Sequence, residues 1–348
     1  MAVVDDGHDV RSSIISSQIA KHARYGGVIP ELAAREHLPA LQPVAAQALA
    51  AAEADWDSIE GIAVTHAPGL TPALLVGLSY AKGIAAARGL PFVAVNHFTA
   101  HIFGSFIEHR ERLRDPAAYP IVALVVSGGH TALVRIDADG SAALLGQTLD
   151  DAAGEAFDKA AKILNLGYPG GPVVDRLAAL GDRSAYDFPR GLTPGGGSPL
   201  SPENRLNFSF SGLKTSLLTH LGRLTGQNVK PGAIVELPEA EMHNTLASFQ
   251  EAVVDVLVRK TRWAAEDAGA PTVALCGGVA CNSRLRAAMT EAITTDRALY
   301  IAPPKYCTDN AAMIAGLGYY LLQAGEHASF AVDAVPRLGA FTRVPFAL

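Results

Sequence analysis

Short apolar runs of strand length, separated by helical patterns, constrain the fold of this chain more than any other feature. The runs cover residues 61–65, 91–95, 121–126 and 272–276. Runs of this length and composition are typical of buried strands. Helical patterns cover residues 72–88, 154–164, 173–180, 211–221, 239–268 and 309–324. Because strands and helices alternate, the sequence predicts an α/β protein.

The length of 348 residues suits two domains of ordinary size. A charged segment at 108–118, bounded by Pro116 and Pro120, is the best candidate for a domain boundary. We therefore expect an N-terminal lobe at 1–118 and a C-terminal lobe with helical insertions at 119–308. The segment 309–348 should complete the first lobe, because its first residue must reach the two histidines described below.

Composition narrows the class of protein further. An apolar content of 49% and a charged content of 18% are typical of a compact folded chain. Three cysteines without a C-x-x-C pair indicate reduced thiols, and no apolar run reaches transmembrane length. We therefore expect a cytoplasmic protein with no membrane partner. The net charge of −6 argues against broad coating of nucleic acid, but a local basic patch remains compatible with it.

His97 and His101 have the spacing of two histidines on one side of a helix, about one turn apart. Imidazole binds zinc, iron, nickel and copper, and a further ligand would have to come from elsewhere. The best candidate is Asp309, where a loop ends and the last helix begins. Two histidines and a carboxylate with open positions fit iron(II) or another catalytic divalent ion. The alternative is a pair of histidines that only pack or meet solvent.

Glycine-rich turns follow two of the strands, at 127–129 and 277–280, and another precedes a helix at 168–172. Glycine allows a ligand to approach the backbone, and free amides at a turn or helix start favour phosphate oxygens. Ordinary turn chemistry is the alternative for each. The chain has no P-loop and no G-x-G-x-x-G sequence, so a nucleotide would bind by another scheme.

Acidic residues collect at the start of the helix predicted at 154–164. Helix capping explains Asp150 and Asp151 best. Asp158 lies further into the helix, where its carboxylate would accept hydrogen bonds from a ribose or another hydroxyl group, or pair with Lys162.

Taken in order, these motifs resemble the TsaD (Gcp) family of bacterial type, the tRNA N6-adenosine threonylcarbamoyltransferases once described as O-sialoglycoprotein endopeptidases. The resemblance covers nearly the whole chain. Its segments are 25–33, 67–70, 97–101, 126–130, 150–159, 168–172, 208–215, 277–282 and 307–310.

The resemblance implies two RNase H-like lobes of the actin and sugar-kinase (ASKHA) superfamily. It also implies transfer of a threonylcarbamoyl group from threonylcarbamoyl-AMP to N6 of adenosine 37, in tRNAs that read codons starting with A. This is the t6A modification. The implied partners, besides tRNA, are a TsaB-like paralogue and a TsaE-like ATPase.

The resemblance also assigns roles to residues. His97, His101 and Asp309 would bind one metal ion per subunit, expected to be Fe(2+), with another divalent metal as the alternative. Asp158 and Gly171, together with Asp175, would hold the ribose and nearby groups, and Asn282 would contact the base or ribose side. The adenylate would be lined by Val125, Val126, Ser127, Gly128 and Gly129.

One departure from the family concerns the start of the chain. Family members open with a strand and turn of the form Gly-Ile-Glu-Thr-Ser-Cys-Asp-Glu-Thr, whereas this sequence begins at Met1 after that point. We therefore expect the first lobe to lack its N-terminal strand, and we interpret this as a start codon placed too far downstream. An in-frame stop codon upstream of Met1 would contradict that interpretation.

Two other functions stay open. A metallopeptidase, as in the old family description, would need a glutamate base, but Phe98, Thr99 and Ala100 separate the histidines. An inactive scaffold is the second alternative, because the N-terminus is truncated. The sequence defines the tRNA-contacting residues least well. Candidates for phosphate contacts are Lys214, Arg284 and Arg286, and solvated surface charges are the alternative for each.

Overall fold

The structure is a computed structural model that describes residues 1–194, 200–230, 235–293, 296–337 and 343–346. Contacts between residues divide the chain into two compact units. Unit 1 contains residues 1–119, 136–143 and 302–348, and unit 2 contains residues 120–135 and 144–301. The end of the predicted C-terminal segment, at 338–342 and 347–348, lies outside the described residues.

Unit 1 holds two pairs of strands and most of the short helices. Its strands are β1 (Ala2–Asp5), β2 (Asp9–Ser13), β3 (Ile62–Ala67) and β4 (Phe92–Asn96). Its helices are α1 (Ile19–Ala23), α2 (Pro30–Ala51), α3 (Thr71–Arg88), α4 (His97–Gly104), α5 (Arg110–Leu113), α11 (Pro304–Cys307) and α12 (Ala311–Gln323). In the part of unit 1 that the structure describes, β1 pairs antiparallel with β2 and β3 pairs parallel with β4.

Helix α12 joins the end of the chain to the rest of unit 1. It packs against α4 and against strands β1, β3 and β4. Two glycines allow this close approach. A Cβ atom on Gly318 would lie 2.4 Å from the Cβ of Ala63, and one on Gly316 would lie 2.5 Å from the ring of Phe103. The backbone of α12 therefore rests directly on β3 and on α4, which fixes the position of the residues just before the helix.

Unit 2 is built on a five-stranded sheet. Its strands are β5 (Ile121–Val126), β6 (Thr131–Ile136), β7 (Ala142–Gln147), β8 (Thr272–Cys276) and β9 (Ala298–Ile301), in the order β7-β6-β5-β8-β9. The tip of the β6–β7 hairpin belongs to unit 1. Its helices are α6 (Ala153–Ile163), α7 (Gly170–Ala178), α8 (Ser211–Thr225), α9 (Glu239–Asp267) and α10 (Ser283–Ala292).

Strands β5 and β8 form the centre of that sheet. They pair parallel, with Val125 opposite Cys276, and every residue of both strands is buried. Their continuous apolar composition suits a strand that is covered on both faces. Because the strands are parallel, the turns that follow Val126 and Cys276 lie side by side at one edge of the sheet.

The predicted α/β class is confirmed, and the strands at 121–126 and 272–276 have the predicted bounds. Several predicted helix bounds differ from the observed ones, and one of these differences concerns the candidate site. The last helix begins at Ala311, capped by the Asn310 side chain, so Asp309 lies in the turn before it. Helix α2 was not predicted from the sequence. It contains Pro39 and Pro43, and proline inside a segment normally argues against a helix. No helix in the described part of the chain is long and apolar enough to cross a membrane.

The close packing of α12 can be tested by substituting two glycines, each of which lies inside a helix of unit 1. We expect Gly318→Ala to destabilise the protein by about 1–3 kcal/mol, because the new methyl group overlaps Ala63. Gly83→Ala in α3 meets no atom within 4 Å, so it should stabilise by roughly 0.5–1 kcal/mol. Urea unfolding would measure both, and equal stability of the two variants would contradict the packing described.

Candidate metal centre and ligand-binding loops

The end of β4 and the start of α4 are fixed by an asparagine cap. The side-chain oxygen of Asn96 accepts hydrogen bonds from the amides of Phe98 (2.9 Å) and Thr99 (3.2 Å). A cap of this kind satisfies amides that have no partner within the helix, and it determines where the helix begins. Strand β4 leads into α4 without a loop, so the cap sets the position of His97 and His101.

Three ligand atoms meet at the start of α4. The Nε2 atoms of His97 and His101 lie 3.1 Å apart. Oδ1 of Asp309 lies 3.1 Å from Nε2 of His97 and 3.4 Å from Nε2 of His101. The structure therefore brings together the three residues that the sequence singles out as metal ligands.

His101 is the buried member of this cluster. Only 3% of its side chain is exposed, against 22% for His97. Burial lowers the pKa of the His101 imidazole, although its hydrogen bond with Asp309 opposes this effect. The neutral imidazole that burial favours is the form that binds a metal ion. The buried Nδ1 of His101 has no hydrogen-bond partner among the described residues, so the ring is held by packing and by its Nε2 contacts.

Asp309 is the solvent-facing member. Desolvation of its carboxyl group beside the two rings acts against the charged form. Hydrogen bonds with His101 and His97 outweigh that effect and lower the pKa of Asp309. Because 85% of its side chain is exposed, water screens these interactions and moderates the shift. Asp309 therefore carries a negative charge at neutral pH, and the cluster is open on its side.

The geometry of the cluster fits a divalent ion. Two donor atoms that bind one ion at about 2.1 Å, at tetrahedral or octahedral angles, lie roughly 3.0–3.4 Å apart. The three separations of 3.1, 3.1 and 3.4 Å fall in that range. Two imidazoles and one carboxylate are a donor set for iron(II), zinc and similar ions. The three residues thus form a site that could hold a metal.

The residues expected to line an adenylate divide into strand and turn. Val125 and Val126 belong to β5 and are at most 1% exposed, so only their backbone could approach a ligand. Gly128 and Gly129 are exposed, and a Cβ on either would meet no atom within 4 Å. The amide of His130 donates to Oγ of Ser127 (3.1 Å), which closes the turn. Open backbone is therefore present at Gly128 and Gly129.

Two further glycines pack against this turn. A Cβ on Gly154 would lie 2.6 Å from the Ser127 carbonyl oxygen, and one on Gly277 would lie 2.4 Å from the Val126 carbonyl oxygen. Gly277 also has φ +92°, which favours glycine. The start of α6 and the end of β8 can therefore approach the β5 turn only because these side chains are absent.

Asp158 and Gly171 are brought together. The Asp158 carboxylate accepts a hydrogen bond from the Gly170 amide (2.7 Å) and another from the Gly171 amide. Burial raises the pKa of Asp158, and these amides partly offset the rise. Asp158 thus caps the start of α7, which the sequence did not indicate, and it makes this contact instead of the suggested pair with Lys162.

Asp175 and Asn282 meet at the start of α10. The Asp175 carboxylate accepts from the Ser283 amide (3.0 Å) and hydroxyl (2.8 Å). Asn282 accepts from the Leu285 amide (2.9 Å) and donates to Oε1 of the buried Gln250 (2.7 Å). Both ends of the Asn282 side chain are therefore engaged within unit 2. Gln250 lies inside the long helix α9, and no sequence motif marks it.

Asp150 has a different partner from the one predicted. It accepts four hydrogen bonds at the start of α8, from the Ser209 hydroxyl, the Phe210 amide, and the amide and hydroxyl of Ser211. These bonds outweigh burial and lower the pKa of the carboxyl group. Asp150 therefore caps α8 and not α6, because the chain at 147–149 runs beside 208. Asp151 instead pairs with Lys159.

Comparison with known proteins identifies the family. The model of the TsaD family, described as tRNA N6-adenosine threonylcarbamoyltransferase, matches residues 9–316. The chain belongs to this family. A relative of that name from Geobacter sp. (strain M21) is 49% identical over 336 residues, which cover 96% of this chain and 91% of the relative. Another, from Geobacter sulfurreducens, is 50% identical with the same coverage.

Two solved structures are similar in fold. Full-length HypF in its phosphate- and nucleotide-bound form matches with a TM-score of 0.52 and 14% identity, over 79% of this chain and 40% of HypF. HypF from T. kodakarensis matches with a TM-score of 0.50 and 14% identity, over 72% of this chain and 39% of that protein. At this identity the likeness shows the fold alone. The family resemblance and the transferase class inferred from the sequence are confirmed by the family match and the relatives.

The environment of the histidines gives no support to the peptidase alternative. The residues between them, Phe98, Thr99 and Ala100, are at most 4% exposed, and none can act as a base. The ligand cluster itself contains no glutamate. No observation favours peptide hydrolysis over the transferase chemistry of the family.

The cap at Asn96 yields a prediction about the centre. We expect Asn96→Ala to lower the free energy of unfolding by about 1 kcal/mol, because two amides at the start of α4 lose their acceptor. Asn96→Asp keeps an acceptor and should stay within a few tenths of a kcal/mol of the wild type. Chemical unfolding would measure this difference. Equal losses in both variants would show that the cap does not stabilise α4.

Proposed function

We propose that the chain transfers the threonylcarbamoyl group of threonylcarbamoyl-AMP to N6 of adenosine 37, in tRNAs that read codons starting with A. The observation that carries this proposal is the family match over residues 9–316, with relatives of that name near 50% identity over almost all of the chain. In this reaction the exocyclic amine attacks the carbamoyl carbon, the bond from that carbon to the phosphate oxygen breaks, AMP leaves, and the amine nitrogen releases one proton.

His97, His101 and Asp309 would hold the metal, for which we propose iron(II). Bound there, a divalent ion would supply Lewis acidity and a fixed point for orienting the acyl donor. The protein contributes the neutral, buried His101 ring, and it contributes the exposed carboxylate of Asp309, which leaves the outer side of the cluster accessible. The convergence of the three donors within hydrogen-bonding distance supports this assignment.

The turns at the ends of β5 and β8 would hold the adenylate. The exposed backbone at Gly128 and Gly129 can offer amides to phosphate oxygens. Asp158 would bind the ribose from beside the Gly171 amide. Asp175 and Asn282 would act mainly by holding the start of α10 in place, since their hydrogen bonds are already made to the protein.

Positioning should dominate the chemistry. The mixed anhydride already carries a good leaving group, so no covalent enzyme intermediate is needed. The attacking amine is weakly basic, and fixing it near the carbonyl carbon would contribute most of the rate enhancement. We propose that units 1 and 2 are the two RNase H-like lobes that the family resemblance implies.

The TsaB-like paralogue would cover an apolar surface on unit 1. Six large apolar side chains between residues 15 and 38 are at least 40% exposed: Ile15, Ile19, Tyr25, Val28, Ile29 and Leu38. Exposed apolar side chains that collect in one segment of a chain often mark a contact with a partner protein. We call these residues the 15–38 surface, and we propose it as the site of the paralogue. The TsaE-like ATPase would complete the assembly.

A transfer assay tests the proposed reaction. The full chain, with the paralogue and the ATPase, would be incubated with threonylcarbamoyl-AMP and unmodified tRNA. The tRNA would then be digested and its nucleosides identified by mass spectrometry. We expect modified adenosine from the wild type. His97→Ala should lose more than about 100-fold in rate, because loss of a ligand exceeds the 10- to 100-fold effect of outer-shell partners.

The matched control is His327→Ala, since His327 is exposed and lies outside the cluster. It should keep the wild-type rate. Product at the wild-type rate from the His97 variant would contradict the role of the cluster, and no product from the wild type would contradict the proposed reaction.

The 15–38 surface is tested by the double substitution Ile19→Glu and Leu38→Glu. Both side chains are more than half exposed, so the free energy of unfolding should change by less than about 0.5 kcal/mol each. Association with the paralogue should be lost, because two charges would enter an apolar contact. Light scattering after size exclusion measures the complex. Leu224→Glu in α8 is the control and should bind the paralogue like the wild type. If the double variant binds the paralogue as well as the Leu224 variant does, the 15–38 surface is not the contact.

A further inference from the structure

Two neighbouring residues of α9 are held by the start of α10. Arg284 donates to the Glu251 carboxylate from Nε (2.7 Å) and from Nη2 (2.9 Å). Gln250 accepts a hydrogen bond from Nδ2 of Asn282 (2.7 Å). The sequence suggested Arg284 as a phosphate contact, but Glu251 and the more distant Glu291 (3.5 Å) face it instead. These contacts fix α9 against α10 at the position of Gln250.

The hydrogen bonds that lead to Gln250 have a fixed direction. The backbone amide of Leu285 can only donate, so the Asn282 atom that accepts from it (2.9 Å) must be the oxygen. The other end of the Asn282 amide is then the nitrogen, which must donate to the oxygen of Gln250. The Nε2 nitrogen of Gln250 is therefore left as a donor for another partner.

No group of the protein takes this donor. Nε2 of Gln250 makes no hydrogen bond with any residue that the structure describes. Only 4% of Gln250 is exposed, yet Nε2 is not completely enclosed by protein. A donor in so buried a side chain normally has a partner, because leaving it unpaired is costly. A ligand that approaches from the open side would supply the acceptor.

Gln250 lies at the end of the sheet where the adenylate is proposed to bind. Asn282 directly follows the glycine turn 277–281 at the carboxyl end of β8, and the next residue, Ser283, is held by Asp175 of α7. Helices α7 and α10 both pack against α9. Ligands of open α/β sheets bind beyond the carboxyl ends of the parallel strands. The free donor therefore belongs to the part of unit 2 that would meet the adenylate.

We infer that Gln250 binds the adenine of the adenylate, with Nε2 donating to a ring nitrogen of the base. The carboxylates proposed to lie near the ribose, Asp158 and Asp175, only accept hydrogen bonds when ionised, so they suit hydroxyl groups. An amide nitrogen only donates, so it suits the ring nitrogens of adenine, which only accept. Asn282 is then a positioning residue that sets the orientation of the Gln250 amide. The inference rests on the proposed function, since it requires threonylcarbamoyl-AMP as the substrate.

The test removes the donor and the acceptor in turn. The probes are AMP and its 1-deaza, 3-deaza and 7-deaza analogues, each of which has a C–H group in place of one ring nitrogen. Calorimetry would measure their affinity for the full chain with its partner proteins. Gln250→Met keeps the length of the side chain without a donor. We expect it to weaken AMP binding by roughly 5- to 150-fold, the range for leaving one partner of a buried hydrogen bond unpaired.

The analogues distinguish a direct contact from a structural role. One analogue should bind the wild type more weakly by the same factor, but it should lose nothing further in Gln250→Met, because one hydrogen bond can be lost only once. Gln250→Glu keeps the oxygen that Asn282 binds, and an ionised carboxylate offers no donor, so it should also fail to discriminate that analogue. In the transfer assay, Gln250→Met should raise the KM for threonylcarbamoyl-AMP and leave kcat and the KM for tRNA unchanged.

Ser248→Ala is the matched control on the same helix. Ser248 precedes Gln250 by two residues, so it lies on nearly the opposite side of α9. Its hydroxyl accepts from the Tyr186 amide (3.0 Å) and donates to the Asp182 carbonyl (3.2 Å). The substitution also removes buried hydrogen bonds of α9, so it should lower stability in urea unfolding. AMP affinity and the KM for threonylcarbamoyl-AMP should stay at the wild-type values.

The outcomes separate the base contact from the reaction. An active wild type, with a Gln250→Met variant that discriminates the analogues as the wild type does, would overturn the contact and leave the reaction intact. An unchanged KM for threonylcarbamoyl-AMP in that variant would overturn the contact as well. A wild type that transfers nothing, yet binds AMP through Gln250, would support the contact and overturn the proposed reaction.

Discussion

The contact on which the candidate centre depends is the close packing of α12 against β3 and α4. Gly316 and Gly318 let the helix backbone approach Phe103 and Ala63 to distances that no side chain would permit. Asp309 lies just before this helix, so the packing carries it to the two histidines more than 200 residues earlier in the chain. The ligand set is thus a consequence of tertiary packing within unit 1, and it would be lost if α12 shifted by a small distance.

Unit 2 depends on a comparable constraint, the parallel pairing of β5 with β8. It places two glycine turns side by side, and the carboxylates of Asp150, Asp158 and Asp175 then fix the starts of three nearby helices through backbone amides. Acidic side chains at helix starts also interact favourably with the helix dipole. Because these carboxylates bind backbone amides of the protein, the loops proposed for the adenylate would be held in place before any ligand binds. A reaction that depends on positioning requires such a fixed site.

The sequence predicted those parts of the molecule whose signal is local. The continuous apolar runs of β5 and β8 identified buried strands with the correct bounds, and the spacing of His97 and His101 identified one side of a helix. Parts that depend on tertiary contacts were missed. The prolines hid α2, Asp150 caps a helix about 60 residues away, and Gln250 reaches Asn282 from the middle of α9.

The central claim is that His97, His101 and Asp309 hold one divalent ion, and X-ray absorption at the iron edge of the iron(II)-loaded protein tests it most directly. The account predicts one ion per chain whose spectrum contains the scattering of two imidazole rings, and the loss of one ring in His97→Ala. A spectrum without imidazole scattering, or one that is unchanged in that variant, would place the ion elsewhere and contradict the account.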